Sequence, residues 1–405
     1  MNLYQIAFII GICFFYSCIF QAHKENKHAD KTFFAPENQP EAEPYYQFAR
    51  RLENSIKEGN PNFFNDNFDL NLLVSNLLRK TGVPTKTGHI FAQEVLANID
   101  AGTQIVTLLQ GESNYKLLGI SNLPSQPTVW FRITLNGVPD YHRIQLTVAP
   151  TVDLVRIQDF CILSGGLSFS ETLKMVLLGI IAQNDMEEED LNQLNAADLA
   201  AVKHAALLDK INIALHEKAF GRANKLVKQL PNELEGNKML LLQQLNMGYH
   251  FKNKLLPQTL QIYEQTFPHD AAARFSLLKL SIEQGDNISI EKYAQDFAQL
   301  LPDAGYLNVL RTQALYNLGQ EQQAASIIGE MMLSTPNDTD VCKAIMVYLL
   351  NEERFADVVN LLEQMQGNNN IDPIKLVPAH AGFLNSETYK EWIEGVSNPK
   401  AGSKP

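Results

Sequence analysis

The feature that most constrains this chain is a spacing. Pro268, Pro302 and Pro336 stand 34 residues apart, twice in succession. Counting the same interval onward from Leu315, Ala324, Ile328 and Met331 lands on Leu349, Val358, Leu362 and Met365. All eight are side chains that a buried helix face accepts. A fixed period in the thirties marks helical hairpins stacked in register, because each hairpin buries its apolar face only against its neighbours. Apolar residues recur at helical spacing from Leu194 onward. They predict hairpins pairing 239–249 with 256–267, 271–283 with 289–301, 304–318 with 320–334 and 339–350 with 355–366. Two closing helices, 374–384 and 387–396, would shield the last pair.

In the unit 304–335, Leu315, Gly319, Ala324 and Pro336 stand where tetratricopeptide repeats carry their large, glycine, alanine and proline positions. The region resembles that family. The following unit has Glu353 at the glycine position and Val358 at the alanine position, and the preceding one has Ile290 at its alanine position. The chemistry of the matching positions is consistent. A small residue lets two helices cross closely, glycine permits a turn with positive φ, and proline cannot continue the helix. The resemblance implies a right-handed superhelix whose first helices line a concave, peptide-binding face. Carried over by register, that face comprises Phe275, Lys279, Tyr306, Gln313, Tyr316, Asn317, Lys343 and Asn351. Aromatics, amides and lysines suit capture of an extended protein or peptide segment. The alternative is that Tyr306 and Tyr316 merely pack the hairpins.

The N-terminal half has a different grain. Phe48, Leu52 and Ile56 predict a helix that ends at Gly59-Asn60-Pro61. An apolar segment from Phe63 to Leu78 follows, broken at Gly82-Val83-Pro84, and then one helix from Thr87 through Leu109. The period then changes to two. Val129, Phe131, Ile133 and Leu135 alternate with polar or outward residues, as do His142, Ile144, Leu146 and Val148, with Asn136-Gly137 as turn chemistry between them. The run Val152–Leu163 is apolar on both faces, as a central strand would be. Helices followed by an antiparallel meander predict an α+β domain over residues 45–165. In element order it is similar to the cone-shaped, cystatin-like fold of the nuclear-transport-factor superfamily. Ser168 and Glu171 make a capping box opening a helix near Ser170, and 166–193 reads as a connecting helix with an acidic linker.

Residues 1–22 carry no charged side chain, and Ile6–Phe20 is almost wholly apolar. That run is short for a membrane span and suits the core of a signal peptide, predicting export to a bacterial cell envelope. Ser17-Cys18 resembles a lipobox, which implies lipidation at Cys18 and a membrane-anchored or periplasmic protein; cleavage near Ala22 and an uncleaved anchor are the other readings. The polar segment 23–44 reads as a tether and 397–405 as a disordered tail. Cys161 and Cys342 lie far apart and predict buried apolar residues rather than a disulfide. The net charge of −12, with no cluster of Lys and Arg to offset it, argues against nucleic acid or an anionic membrane as partner.

Chemistry is sparse. The sequence has no phosphate loop, nucleophile elbow, dinucleotide fingerprint or zinc helix, so neither a cofactor nor a metal is expected. The five carboxylates in 185–190 lack the alternating oxygen ligands and glycine turn of a calcium loop. His142 and Asp159 are polar on otherwise apolar strand faces. They read either as base and orienter in a pocket of the α+β domain, or as polar groups satisfied near strand ends. The expectation is a non-enzymatic interaction scaffold, with a small-molecule binder or acid–base enzyme built on His142 and Asp159 as the alternative.

Overall fold

The computed structural model describes residues 34–397, apart from 84, 110–113, 136–137, 184–190, 252–254, 268–269, 302, 335–337 and 370–379. Cys18, the tether before residue 34, the Asn136-Gly137 turn, the acidic run 185–190 and the three repeat prolines lie outside the described residues. The chain is mostly helical with one small antiparallel sheet, and it divides into two compact units, 1–280 and 281–405.

Unit 1 opens with a short strand, β1 (Phe34–Ala35), and helices α1 (Glu43–Lys57), α2 (Asn62–Asn67), α3 (Leu70–Thr81), α4 (Thr85–Asn98) and α5 (Ala101–Leu108). The single helix expected over 87–109 is two. Asp100 interrupts it, its side chain accepting the Thr103 N–H to cap α5 and also an N–H of the Asn65 amide at 2.7 Å. A capping carboxylate that satisfies free amides favours a new helix start over continuation.

Strands β2 (Asn114–Ser121), β3 (Thr128–Leu135), β4 (Val138–Leu146) and β5 (Ile157–Ile162) follow, and the five pair in sequence order, all antiparallel. Strand β2 escapes a period-two reading because a bulge between Leu117 and Gly119 breaks its alternation. Strand β5 is shorter than expected, since 152–154 form a 3-10 turn, and it ends the sheet rather than lying at its centre. It is covered on both sides, with the apolar Phe160 on one face and Asp159 and Cys161 on the other. One face carries Tyr115, Phe131, His142, Ile144 and Phe160, in a core shared with Phe48, Leu52 and Phe64 of α1 and α2. The other carries Trp130, Arg132, Tyr141, Arg143, Asp159 and Cys161.

Helix α6 (Phe169–Gln183) starts with the expected capping box: Ser168 N–H donates to Glu171 Oε2 at 2.7 Å, and Glu171 N–H to Ser168 Oγ at 3.2 Å. With the turn before it, 163–183 is the one described stretch long and apolar enough to cross a bilayer, but Leu173, Val176, Leu177, Leu178 and Ile181 are buried in the core. Helices α7 (Ala196–Lys203), α8 (Ala205–His216), α9 (Phe220–Val227), α10 (Lys238–Phe251), α11 (Leu255–Thr266) and α12 (Ala272–Gln284) continue the chain. Leu208, Ile211, Leu234, Met239 and Leu240 belong to the same core as the sheet, so the compact division falls inside α12 rather than at the acidic linker.

Unit 2 comprises α13 (Asn287–Ala298), α14 (Ala304–Asn317), α15 (Glu321–Ser334), α16 (Thr339–Asn351), α17 (Phe355–Asn369), α18 (Ala381–Asn385) and α19 (Glu387–Ser397). Helix α14 packs on α13 and α15, α16 packs on α17, and α14 and α16 lie side by side. All eight residues of the 34-residue comparison are buried, none more than 3% exposed. The turn position is equally regular: Gly285, Gly319 and Glu353 have φ of 63°, 73° and 55°. Glycine adopts that conformation freely, whereas Glu353 is held there by its hairpin.

Candidate functional site

The two sheet residues singled out by sequence sit on adjacent strands but do not meet. His142 pairs with Ile162 and Asp159 with Gln145, three positions along, which puts their side chains on opposite faces. His142 is fully buried, with Nδ1 2.9 Å from the Tyr115 hydroxyl and the rings of Phe64 and Phe160 beside it. Burial lowers its pKa to about 3, so it is neutral, and Nε2 finds no partner among the described residues. Asp159 instead caps the start of α6: it accepts the Ser170 hydroxyl at 2.6 Å and the N–H groups of Ser170 and Phe160 at 3.1 and 2.9 Å. Burial raises its pKa while Ser170 opposes the shift. A base-and-orienter pair needs contact, and these residues are divided by the sheet itself.

The Asp159 face carries a charged network that the sequence did not announce. Lys238, at the start of α10, is almost fully buried and sits 2.7 Å from Asp270 Oδ2 and 3.0 Å from Glu171 Oε2. Asp270 Oδ1 accepts the Tyr263 hydroxyl at 3.0 Å and the Ala272 N–H at 2.8 Å. Arg143 lies 6.0 Å over the Trp130 ring, and its charge acts on Asp270, Cys161 and Glu171. Burial alone would raise the Asp270 carboxyl, but Lys238 and Arg143 hold it below the ordinary range. Burial likewise opposes charging Lys238, yet Asp270 and Glu171 keep its ammonium above the usual lysine value. Burial pushes the Cys161 thiol up to about 12. A lysine held protonated and a thiol held neutral are poor nucleophiles, and the two ion pairs of Lys238 fasten α10 to the α6 cap and to the segment before α12. Only the capping-box role of Glu171 was legible in advance; Lys238 and Asp270 come together because α10 packs with Tyr263 of α11 and Ala272 and Ala273 of α12.

The eight residues assigned to the groove divide sharply. In unit 1, Phe275 is 1% exposed and packs edge-on against Tyr141 at 5.5 Å. Lys279 lowers the pKa of the buried Asp140 carboxyl, which burial raises. Phe275 is therefore turned to the sheet rather than to solvent, while Lys279 is half-buried. In unit 2, Tyr306 is buried with Ile328, Val341 and Ile345. Gln313, Asn317, Lys343 and Asn351 are exposed, as is Tyr316 at 37%.

Those exposed residues line neighbouring helices. Gln313, Tyr316 and Asn317 form a turn of α14, while Lys343 and Asn351 flank Val347 on one stripe of α16. Val347 is 57% exposed, and the list drawn from the sequence omitted it. It stands 34 residues after Gln313, so the register would have found it. Tyr316 meets Tyr348 edge-on, with ring centroids 5.7 Å apart. The Asn317 amide donates to Asn287 Oδ1 at 3.3 Å, which fixes that end of α14. Among the described residues no group of three His, Cys, Asp or Glu is placed to hold a metal ion. No protein-family model matches the chain, and no curated protein and no solved structure matches it.

Proposed function

We propose that this protein is a non-enzymatic interaction scaffold, whose second unit binds an extended segment of another protein across α14 and α16. The observation that carries the reading is the exposure of Gln313, Tyr316, Asn317, Lys343, Val347 and Asn351 on two adjoining helices. The Tyr316 ring and the Val347 side chain supply apolar contact, and the amides of Gln313, Asn317 and Asn351 supply donors and acceptors for a peptide backbone. Tetratricopeptide-like stacking agrees with the buried 34-residue register and with the repeated positive φ at 285, 319 and 353. Of the groove set, Phe275 and Tyr306 are left out because they are buried, and Lys279 because it stands on α12 rather than on α14 or α16. The apolar, uncharged N terminus supports export and work at a cell envelope, with Cys18 as the residue a lipid would modify.

The test begins with a photo-crosslinking amino acid at position 347 in cells that make the protein. The partner it captures is purified and its affinity measured for the wild type and for Val347→Glu and Asn351→Ala. The expected result is a loss of about tenfold or more for Val347→Glu, about 1.4 kcal/mol, with an unchanged melting temperature. Equal affinity of all three proteins for the captured partner would refute the reading.

A further inference from the structure

The whole-chain charge of −12 conceals a local reversal in unit 1. Residues 203–228 hold six of the 33 Lys and Arg side chains, Lys203, Lys210, Lys218, Arg222, Lys225 and Lys228, against only Asp209 and Glu217. All six are exposed. Arg222 is engaged by Glu217, but the ammonium groups of Lys210, Lys218, Lys225 and Lys228 make no ion pair or hydrogen bond among the described residues. This local balance corrects the expectation, drawn from the chain as a whole, that an anionic partner is disfavoured.

The hairpin of α8 and α9 gathers these charges. Ala214, Ala223 and Met247 share one buried cluster, which packs α8, α9 and the C-terminal half of α10 together. The opposite faces point outward. Lys225 and Lys228, three apart, follow one stripe of α9 to its C-cap, and Lys210 and Ile213 share a stripe of α8. Lys218 stands in the turn between the two helices.

Apolar side chains are exposed among the lysines. Ile213 is 54% and Phe251 45% exposed. The Phe251 ring is held in place: it meets Phe220 edge-on at 6.2 Å, and Phe220 stacks on His250 at 4.3 Å. Solubility accounts for surface lysines, and the helix dipole for cations near the end of α9. Neither accounts for Ile213 and Phe251 beside them, nor for six cations offset by two carboxylates.

We infer that this face of α8, α9 and the end of α10 docks on an anionic lipid membrane, with Lys210, Lys218, Lys225 and Lys228 against the headgroups and Ile213 and Phe251 at the acyl boundary. Lysines interleaved with an aromatic and an aliphatic side chain have the composition of a surface that lies on a bilayer. Charge sets the sign of the partner. The exposed apolar pair selects a lipid surface over a soluble polyanion, which would leave both side chains in water. Carboxylates elsewhere in the chain do not prevent the contact, because their repulsion is screened beyond a Debye length of about 8–10 Å. The proposed envelope location supplies such a membrane, whereas the contact itself belongs to unit 1 and does not depend on the α14/α16 face.

The test uses the full chain carrying Phe251→Trp as a reporter; the native Trp130 and Trp392 are buried and give the background. Vesicles of phosphatidylcholine, with and without phosphatidylglycerol, are prepared with brominated acyl chains. The expected result is a blue shift and quenching of the reporter only where phosphatidylglycerol is present. Lys225→Glu with Lys228→Glu should weaken vesicle binding at least about tenfold at an unchanged melting temperature, and added salt should weaken it as well. Ile213→Trp supplies a second reporter if Phe251→Trp lowers the melting temperature. Because the signal arises at these positions, attachment through the apolar N terminus does not produce it. An absent response on phosphatidylglycerol vesicles, or an equal one on phosphatidylcholine alone or in the doubly substituted chain, would overturn the inference. So would binding of soluble poly-glutamate to this face while vesicles leave the reporter unmoved, which would mark it as a protein-binding surface.

Discussion

Two residues hold conformations or surroundings that their chemistry resists, and each yields a measurement. Glu353 sits at φ 55°, where its repeat counterparts are glycines. A non-glycine residue pays roughly 1–2 kcal/mol there, partly offset by the greater unfolded-state freedom of glycine. Glu353→Gly is therefore expected to stabilise unit 2 by about 1 kcal/mol, seen as a higher denaturation midpoint at unchanged slope. His142 has its folded pKa lowered to about 3 from the usual 6.5 by burial. Between those values the unfolded chain binds a proton that the folded chain refuses, so the contribution is fully present above pH 6.5 and is lost as pH falls. The slope approaches about 1.4 kcal/mol per pH unit. His142→Phe should flatten this acid limb in chemical denaturation between pH 6.5 and 4, whatever it costs at neutral pH by leaving the Tyr115 hydroxyl without its ring partner. An unchanged limb would show that another group governs acid stability.

At the scale of elements, the hairpins of unit 2 repeat one buried position on their second helices. Ala324 is fully buried on α15, and Val358 occupies the same place on α17. Ala324→Leu should overpack the α14/α15 crossing and cost about 1–3 kcal/mol, measured by urea denaturation. The equivalent Val358→Leu, starting from a larger site, should cost less. Strand β2 teaches the opposite lesson. Its residues are hydrophobic enough, but the bulge at Leu117–Gly119 shifts side chains from one face to the other, and a period-two pattern cannot survive that. Likewise Asp100 divides an apolar run that looked continuous, because one carboxylate serves both the Thr103 N–H and the Asn65 amide.

At the scale of the molecule, unit 1 is an α+β sheet domain joined to the first hairpins by core and charge. Lys238 is the centre of that junction, bonded to Glu171 of the α6 cap and to Asp270 before α12. Lys238→Met leaves two largely buried carboxylates without their cation and should cost about 3–5 kcal/mol, with the loss read in the melting of unit 1. Removing all three charges, as Lys238→Met with Glu171→Gln and Asp270→Asn, should recover much of that loss. Equal destabilisation by the single and triple variants would show that packing, not charge, makes the junction. The same docking explains why α12 has no open face at Phe275: Tyr141 of the sheet stands there.

The sequence by itself determined the period, the run of helices over residues 239–366, the capping box of α6, the strands β3 and β4 and the buried state of all eight register residues. Each of these is a local or periodic property, fixed by side-chain size, φ preference and spacing. It also named five of the six side chains offered here as a binding face. Tertiary structure alone decided which repeat positions stay open and which are covered, since Phe275 and Val347 belong to the same kind of helix and differ only in what packs on them. It separated His142 from Asp159, because strand register assigns faces and register cannot be read from either strand alone. It also assembled Lys238, Glu171 and Asp270, whose attraction acts only after chain segments far apart in sequence have been brought within a few ångströms.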